Sequence, residues 1–461
     1  MKKYVHVIVL ALCASLLSGG CNKSETITVT PSNETAAEVQ KETVVGPMEN
    51  QPVLDYEVPV MVPGIVVSQA GYEIGREKKV IFHSKRLPEA FEIVDEATGR
   101  VVFKGNLESP VYNEETDEYI SYGDFSSLET EGDYYIECEY LGTSYPFAVR
   151  EDYYEEIMEE AVAKLFALLA EETLSVTERP SDEVMVEKCK TISALLLACE
   201  LFPKMQADGV MGEENKIPDV LDYAATQAAY LAQWQDGENG SLGGATGWYC
   251  AALAKLSYTY QKYESVDATR FLQAADKAWK YMEKNEKEVL KEERFFSAAE
   301  LYRATGKNKY HTVAKELGKE LKPDTANEAL TYGAITYFST RRTVNVDLCN
   351  VYLKDMMEQA ELISGTASDK IFLVGTKPAG RDKDTFFAQM TVMVLVDYII
   401  TNEEYGSLIE DHEHYLMGRN ELGVSYFDLG SCENPAQEML SDHPVYLAKY
   451  IVILSEIMNR K

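Results

Sequence analysis

Basic residues are scarce in this chain. Its 44 lysines and arginines stand against 76 aspartates and glutamates, a formal net charge of −32. So acidic a surface repels phosphate backbones and anionic headgroups, which argues against nucleic acid and a lipid surface as partners and leaves neutral polymers such as polysaccharides. Histidine (6) and tryptophan (3) are also rare, so no tract of either marks a site. None of the 8 cysteines forms a CxxC pair or a zinc spacing. Several lie on apolar helical faces and read as buried thiols; disulfides stay open in an exported chain. No period of a helical repeat is found, which argues against an open solenoid.

Long apolar runs are missing except at the start. Lys2 and Lys3 precede the run Val5 to Leu17, and small residues lead to Cys21. The run is too short for a comfortable transmembrane helix and suits an export signal over residues 1–20. The ending LSGGC resembles a bacterial lipobox, which implies cleavage before Cys21 and a lipid on its sulfur. The bland alternative is an ordinary secretory signal with Cys21 as a bystander. Exported, lipid-anchored to a bacterial membrane, is the expected location; the anchor would be the only membrane contact. Residues 21–62 are rich in Thr, Glu, Ser, Pro and Val without a sustained period, and read as a flexible stalk.

Residues 63–150 change character. Val80–Phe82, Phe91–Asp95, Arg100–Gly105 and Asp133–Tyr140 are short runs with β-branched and aromatic residues, separated by turn residues. Their spacing predicts an immunoglobulin-like β-sandwich. From 151 to 461 the period switches to that of helices, and twelve helical stretches are expected. Gly306 and Gly418 follow helical runs as stops, and Pro218 stands at a helix start. Twelve helices without a repeat favour a closed ring of six helical hairpins, with loops at one end lining a cleft.

Several segments then show a resemblance. GIVVSQAGYEIGREKKVIF and GDFSSLETEGDYYIE are similar to the immunoglobulin-like module that precedes the catalytic domain in many family 9 glycoside hydrolases, the cellulases. LLLACELFP, IPDVLDYAATQAAYLAQWQDG, ATGWYCAALAKLSYTY, FFSAAELYRATGKNKY and HYLMGRNELGVSYFDLG resemble the barrel of that family, in the family's order. The resemblance implies an (α/α)6 barrel and inverting hydrolysis of β-1,4-glucan, with no cofactor in the chemistry. Inversion needs a protonated carboxyl and an ionised one, about 6.5–9.5 Å apart, with a water between base and sugar.

Where the family carries its Asp-Ala-Gly-Asp base loop, this chain has a short connection containing Thr177-Glu178-Arg179-Pro180 and Asp182. Glu178 or Asp182 is a displaced base on one reading; on the other they are a solvated turn and a helix N-cap. Glu438, preceded by Gln437, is the best positional match to the family's acid, with Glu433 as a second candidate. Either is otherwise a surface glutamate. The His-His-Arg substrate clamp is missing, leaving the lone His443, and RDKD at Arg381–Asp384 replaces the Trp-Gly-Ser-Asn turn. Tyr426, Phe427 and Trp248 are candidates to stack on sugar rings, with core packing as the alternative for each, and Trp234 is a similar case. The resemblance leaves room for a structural calcium whose ligands are unknown, and DGENG at Asp236 lacks the spacing of a calcium loop. Three functions follow: a surface-anchored cellulase-type hydrolase on a neutral β-glucan, a catalytically degenerate glycan-binding lipoprotein on the same scaffold, and a structural surface protein.

Overall fold

The computed structural model describes residues 63–460, apart from 115, 174–177, 213 and 214. The expected signal, Cys21, the stalk and Thr177 lie outside the described residues. Ten strands open the described chain: β1 (Ile65–Val66), β2 (Tyr72–Glu73), β3 (Lys79–Ser84), β4 (Ala90–Asp95), β5 (Val101–Asn106), β6 (Val111–Asn113), β7 (Glu118–Asp124), β8 (Gly132–Cys138), β9 (Gly142–Thr143) and β10 (Phe147–Arg150). They form two sheets, ordered β1-β3-β7-β6 and β2-β10-β8-β4-β5, with β9 paired to β8. Alternating inward residues such as Val80, Phe82, Phe91, Ile93, Tyr134 and Ile136 fill the space between the sheets. This is the two-sheet packing expected of an immunoglobulin-like module.

Two local expectations are corrected. The run expected to reach Tyr140 stops at Cys138, because Tyr140 turns the chain with φ 74°. The strand Glu118–Asp124 was not anticipated; it pairs with β3 from Lys79↔Asp124 to Ser84↔Tyr119. Its Gly123 sits beneath Phe82 and Phe91, where a Cβ would strike both rings. A glycine that reads as a breaker is here a seat for two aromatics.

Twelve α-helices follow among the described residues: α1 (Tyr153–Thr173), α2 (Asp182–Leu201), α3 (Asp219–Ala232), α4 (Thr246–Tyr260), α5 (Ser265–Lys284), α6 (Lys291–Thr305), α7 (Asn308–Glu320), α8 (Glu328–Ser339), α9 (Val346–Ser368), α10 (Lys383–Ile400), α11 (Glu403–Leu416) and α12 (Pro444–Asn459). The even-numbered helices are buried nearly all round, as in α4, where Trp248 to Ser257 are all buried. The odd-numbered ones bury one stripe, such as Ala268, Phe271, Ala275, Ala278 and Met282 on α5. Helices buried on every side form an inner layer, and amphipathic ones cover it. The inner helices pack in the order α10, α12, α2, α4, α6, α8, and α9 touches both α8 and α10. The result is a ring of six hairpins. No described helix is long and apolar enough to cross a membrane.

Helix ends follow local chemistry. Asn327, Asn345 and Asn402 accept the N–H groups of Leu330, Leu348 and Glu404, capping α8, α9 and α11. The cap of α2 is Ser181, whose Oγ accepts from Val184 N–H at 3.3 Å; Asp182, expected as the cap, is the first helical residue instead. Gly306 closes α6 in the left-handed region. Asp236 builds a turn by accepting the N–H groups of Glu238 and Asn239. The six described cysteines are free thiols, four of them buried.

Sandwich and barrel share a tight seam. Gln69 is buried there; its Oε1 accepts the N–H groups of Glu433 and Asn434 at 3.0 and 2.9 Å, and its Nε2 donates to Gly423 O at 2.9 Å. Gly418, just past α11, has φ 119°, and a Cβ on it would strike the Gln69 side chain. The stop after HYLM therefore ends a helix and admits the neighbouring module. Arg76 pairs with Glu73 and Glu410 and donates to Ile457 O. Replacing Gln69 by Leu would leave the Glu433 and Asn434 N–H groups unpaired, while Gly423 O keeps Asn434 Nδ2, and is expected to lower the urea-unfolding free energy by about 2–4 kcal/mol. Glu433→Ala, which keeps its backbone N–H, is expected to change the same measurement by less than about 0.5 kcal/mol.

Candidate functional site at the barrel mouth

The N-terminal ends of the six inner helices gather at one end of the ring. Their unpaired N–H groups and dipoles favour negative side chains there. Carboxylates fill the first turns accordingly: Asp182 and Glu183 on α2, Glu292 and Glu293 on α6, Glu328 on α8, and Asp384 on α10. The longest outer-to-inner connection, from α11 to α12, also ends here.

Three charges cross the lumen. Glu328 of α8 pairs with Lys190 of α2 at 2.7 Å and with Lys449 of α12. Side-chain exposure is 28% for Lys190, 15% for Glu328 and 3% for Lys449, so Lys449 is enclosed while Lys190 and Glu328 stay partly accessible. Burial alone would push the Glu328 pKa up, but Lys449 and then Lys190 outweigh it and hold it below the usual range. Burial opposes the charge of Lys190 as well, and Glu328 reverses that, raising its pKa. Glu328 and Lys190 thus hold each other in their charged forms. Aromatic rings wall it. The Lys190 Nζ stands 5.5 Å from the Trp248 ring, and Lys449 lies over Phe387 and Tyr446 at 5.9 and 5.6 Å. Tyr446 donates to Asp384 Oδ1 at 2.9 Å. Deeper in the ring, Glu200 pairs with Lys255 at 2.6 Å and Arg303 at 2.5 Å, and Glu300 accepts from Tyr258 and Thr336. Charges at both ends of an apolar lumen are therefore compensated.

The residues singled out in the sequence lie on the segments around this mouth, each with its own neighbours. Asp182 Oδ2 accepts the Gly244 N–H at 2.7 Å, and its Oδ1 accepts from Arg179 at 2.8 Å. Those two bonds hold its pKa low, as a general base requires. Glu178 is exposed in the connection before α2. Glu438 is 56% exposed and pairs with Lys383 at 2.5 Å, which pulls its pKa down. A proton donor needs the opposite environment. Glu433 is exposed too, its N–H spent on Gln69. His443 precedes α12 and meets the edge of Tyr446 at 5.8 Å.

The rings expected to stack on sugar are packed inside. Phe427 is fully buried and stacks on Tyr450 at 4.5 Å; Trp248 is buried edge-on to Phe296 and Tyr332 at 5.6 and 6.2 Å. Tyr426 is buried as well, its hydroxyl pushed up to about 12 by burial. Trp234 is half-buried, edge-on to Tyr230 at 6.4 Å. None of Phe427, Trp248 and Tyr426 offers a ring face to a ligand; core packing is the role their positions provide.

Sequence reasoning missed Lys190, Glu328, Lys449 and Glu293. A signal existed for Lys449, the one charge inside the apolar run Val445–Leu454. Glu293 is buried at the start of α6, and burial pushes its carboxyl up to about 7. Among the described residues, no group of three or more His, Cys, Asp or Glu side chains is arranged to hold a metal ion.

Removing Glu328 would strand two lysines beside aromatic rings. Glu328→Ala is expected to destabilise the fold by about 3 kcal/mol, measured by urea unfolding at neutral pH. Because its folded pKa is lowered, the contribution is present above the ordinary glutamate range and lost as pH falls below it. Wild type and variant should therefore converge in acid.

Comparison with known proteins fits this architecture. Residues 61–143 match the cellulase N-terminal ig-like domain, and residues 161–443, more than half of the chain, match glycosyl hydrolase family 9. Endoglucanase D of Acetivibrio thermocellus is 21% identical, over 75% of this chain and 70% of its own. A metagenome-derived glycoside hydrolase family 9 endoglucanase superposes with a TM-score of 0.73 at 16% identity, covering 85% of this chain and 98% of its own. A family 9 glycoside hydrolase of Bacteroides ovatus gives 0.67 at 16% identity, covering 86% and 98%. At such identities the two structures speak for the fold, the (α/α)6 barrel behind a β-sandwich. On the strength of the match over residues 161–443, this chain belongs to glycosyl hydrolase family 9.

Proposed function

We propose that the chain is directed at a neutral β-1,4-glucan, or a related plant polysaccharide, which it takes up at the barrel mouth, and that at neutral pH it binds this chain without inverting hydrolysis. Family membership and the cellulase-type module support the substrate class. One observation carries the second half: Glu438, the positional match to the family's acid, is exposed and held ionised by Lys383. An ionised carboxylate has no proton for a leaving oxygen. Lys190, Glu328 and Asp384 offer fixed donors and acceptors to sugar hydroxyls, which suits recognition.

Hydrolysis is the second reading, and Asp182 favours it, since its bonds to Gly244 and Arg179 prepare it as a base. It would pair with Glu438, or with Glu178 in place of Asp182, at the inverting separation. LSGGC supports export and lipid attachment at Cys21, which would set the mouth at a bacterial surface.

Soluble β-glucan separates the readings. Retardation in an affinity gel is expected at pH 7, with reducing-sugar release equal to background for the native chain and for Glu438→Gln. Release by the native chain that Glu438→Gln abolishes would establish hydrolysis. An absence of retardation would remove the glucan. Palmitate labelling lost in Cys21→Ala is the expected outcome for the anchor.

A further inference from the structure

At the seam between sandwich and barrel, one carboxyl is enclosed without a cation of its own. Glu413, near the C-terminal end of α11, is fully buried. Its Oε1 accepts from Tyr450 of α12 at 2.8 Å and from Tyr153, the first residue of α1, at 3.3 Å. Its Oε2 is buried without a hydrogen-bond partner, and His414 Nε2 lies 3.7 Å from it. The buried His414 ring is 4.8 Å from the ring of Tyr72 in β2, whose hydroxyl accepts the Ser68 N–H. A continuous path of buried side chains thus joins Glu413 to the sandwich.

The surrounding charges are already engaged. Arg419, on the loop after α11, pairs with Asp411 at 2.5 Å. Arg76 of the sandwich pairs with Glu73 and Glu410. Lys78 donates to the Arg76 and Ser126 carbonyls, and Lys79 pairs with Glu77. His414 is kept neutral by its burial and by Arg419. Tyr154, edge-on to Tyr153 at 4.8 Å, adds only a hydroxyl.

We propose that Glu413 is a neutral carboxylic acid in the folded chain and acts as a proton-gated clasp, holding the β-sandwich on the barrel while protonated and loosening that seam when it ionises. Burial pushes its pKa up to about 8; the two tyrosine hydroxyls and the Arg419 charge pull against this, and Glu410 adds to it. A carboxyl raised on folding stabilises fully below its ordinary range, and that contribution is lost as pH rises through about 8.

Amide hydrogen exchange of the full chain tests this, comparing native protein with Glu413→Gln at pH 4 and pH 9. At pH 4, below the ordinary glutamate range, the two should protect residues 65–73 equally. At pH 9 the native chain should lose roughly tenfold or more of that protection relative to the variant, while α4 and α6 stay equally protected in both. Equal protection of 65–73 at pH 9, or a variant already loosened at pH 4, would overturn the clasp. Should Glu413→Gln not fold, Tyr450→Phe gives an independent reading. It removes a bond that favours the carboxylate, so the loosening should move to higher pH; a shift to lower pH, or none, would overturn the proposal.

Discussion

A ring of six inner helices has no water to spare for a charge placed inside it. Desolvating an ion in such a lumen is costly unless an opposite charge and hydrogen bonds meet it. The chain answers with opposed pairs spanning the ring. Glu328 reaches across from α8 to Lys190 and Lys449, and at the other end Glu200 and Glu300 are met by Lys255, Arg303, Tyr258 and Thr336. Aromatic rings lie between. The shape of the mouth, and what can enter it, follow from how these charges are compensated.

The same constraint explains the divided character of the site. Carboxylates gather at the inner-helix N-termini because the helix dipoles favour them. Inverting hydrolysis asks for one carboxyl there to stay protonated. Glu438 sits in water beside Lys383 and is driven toward its ion. Glu293 has the opposite environment, and burial holds its proton to about 7. Asp182 has the environment of a base. The position matched to the family's acid is thus the exposed one, and the dry carboxyl of the mouth is Glu293.

Much of the fold was legible because its signals are local. Gly306 and Gly418 stop helices through backbone geometry, and the helical period survives in all twelve stretches. The strand Glu118–Asp124 was not legible, since its glycine is explained only by Phe82 and Phe91 from other strands. The site was harder for the same reason. Lys383 and Glu438 are 55 residues apart, and the Lys383 that lowers the pKa of Glu438 leaves no mark on the sequence near it. Tyr426, Phe427 and Trp248 carry the right ring chemistry for sugar, yet whether a ring faces a cleft or a core depends on neighbours such as Tyr450 and Phe296.

A crystal structure of the chain grown with a cello-oligosaccharide tests the central claim most directly. An intact oligosaccharide lying over Lys190, Glu328 and Asp384, with the Lys383–Glu438 pair in place, is the predicted result. A cleaved sugar with Glu438 at the leaving oxygen, or a ligand bound away from the mouth, would contradict it.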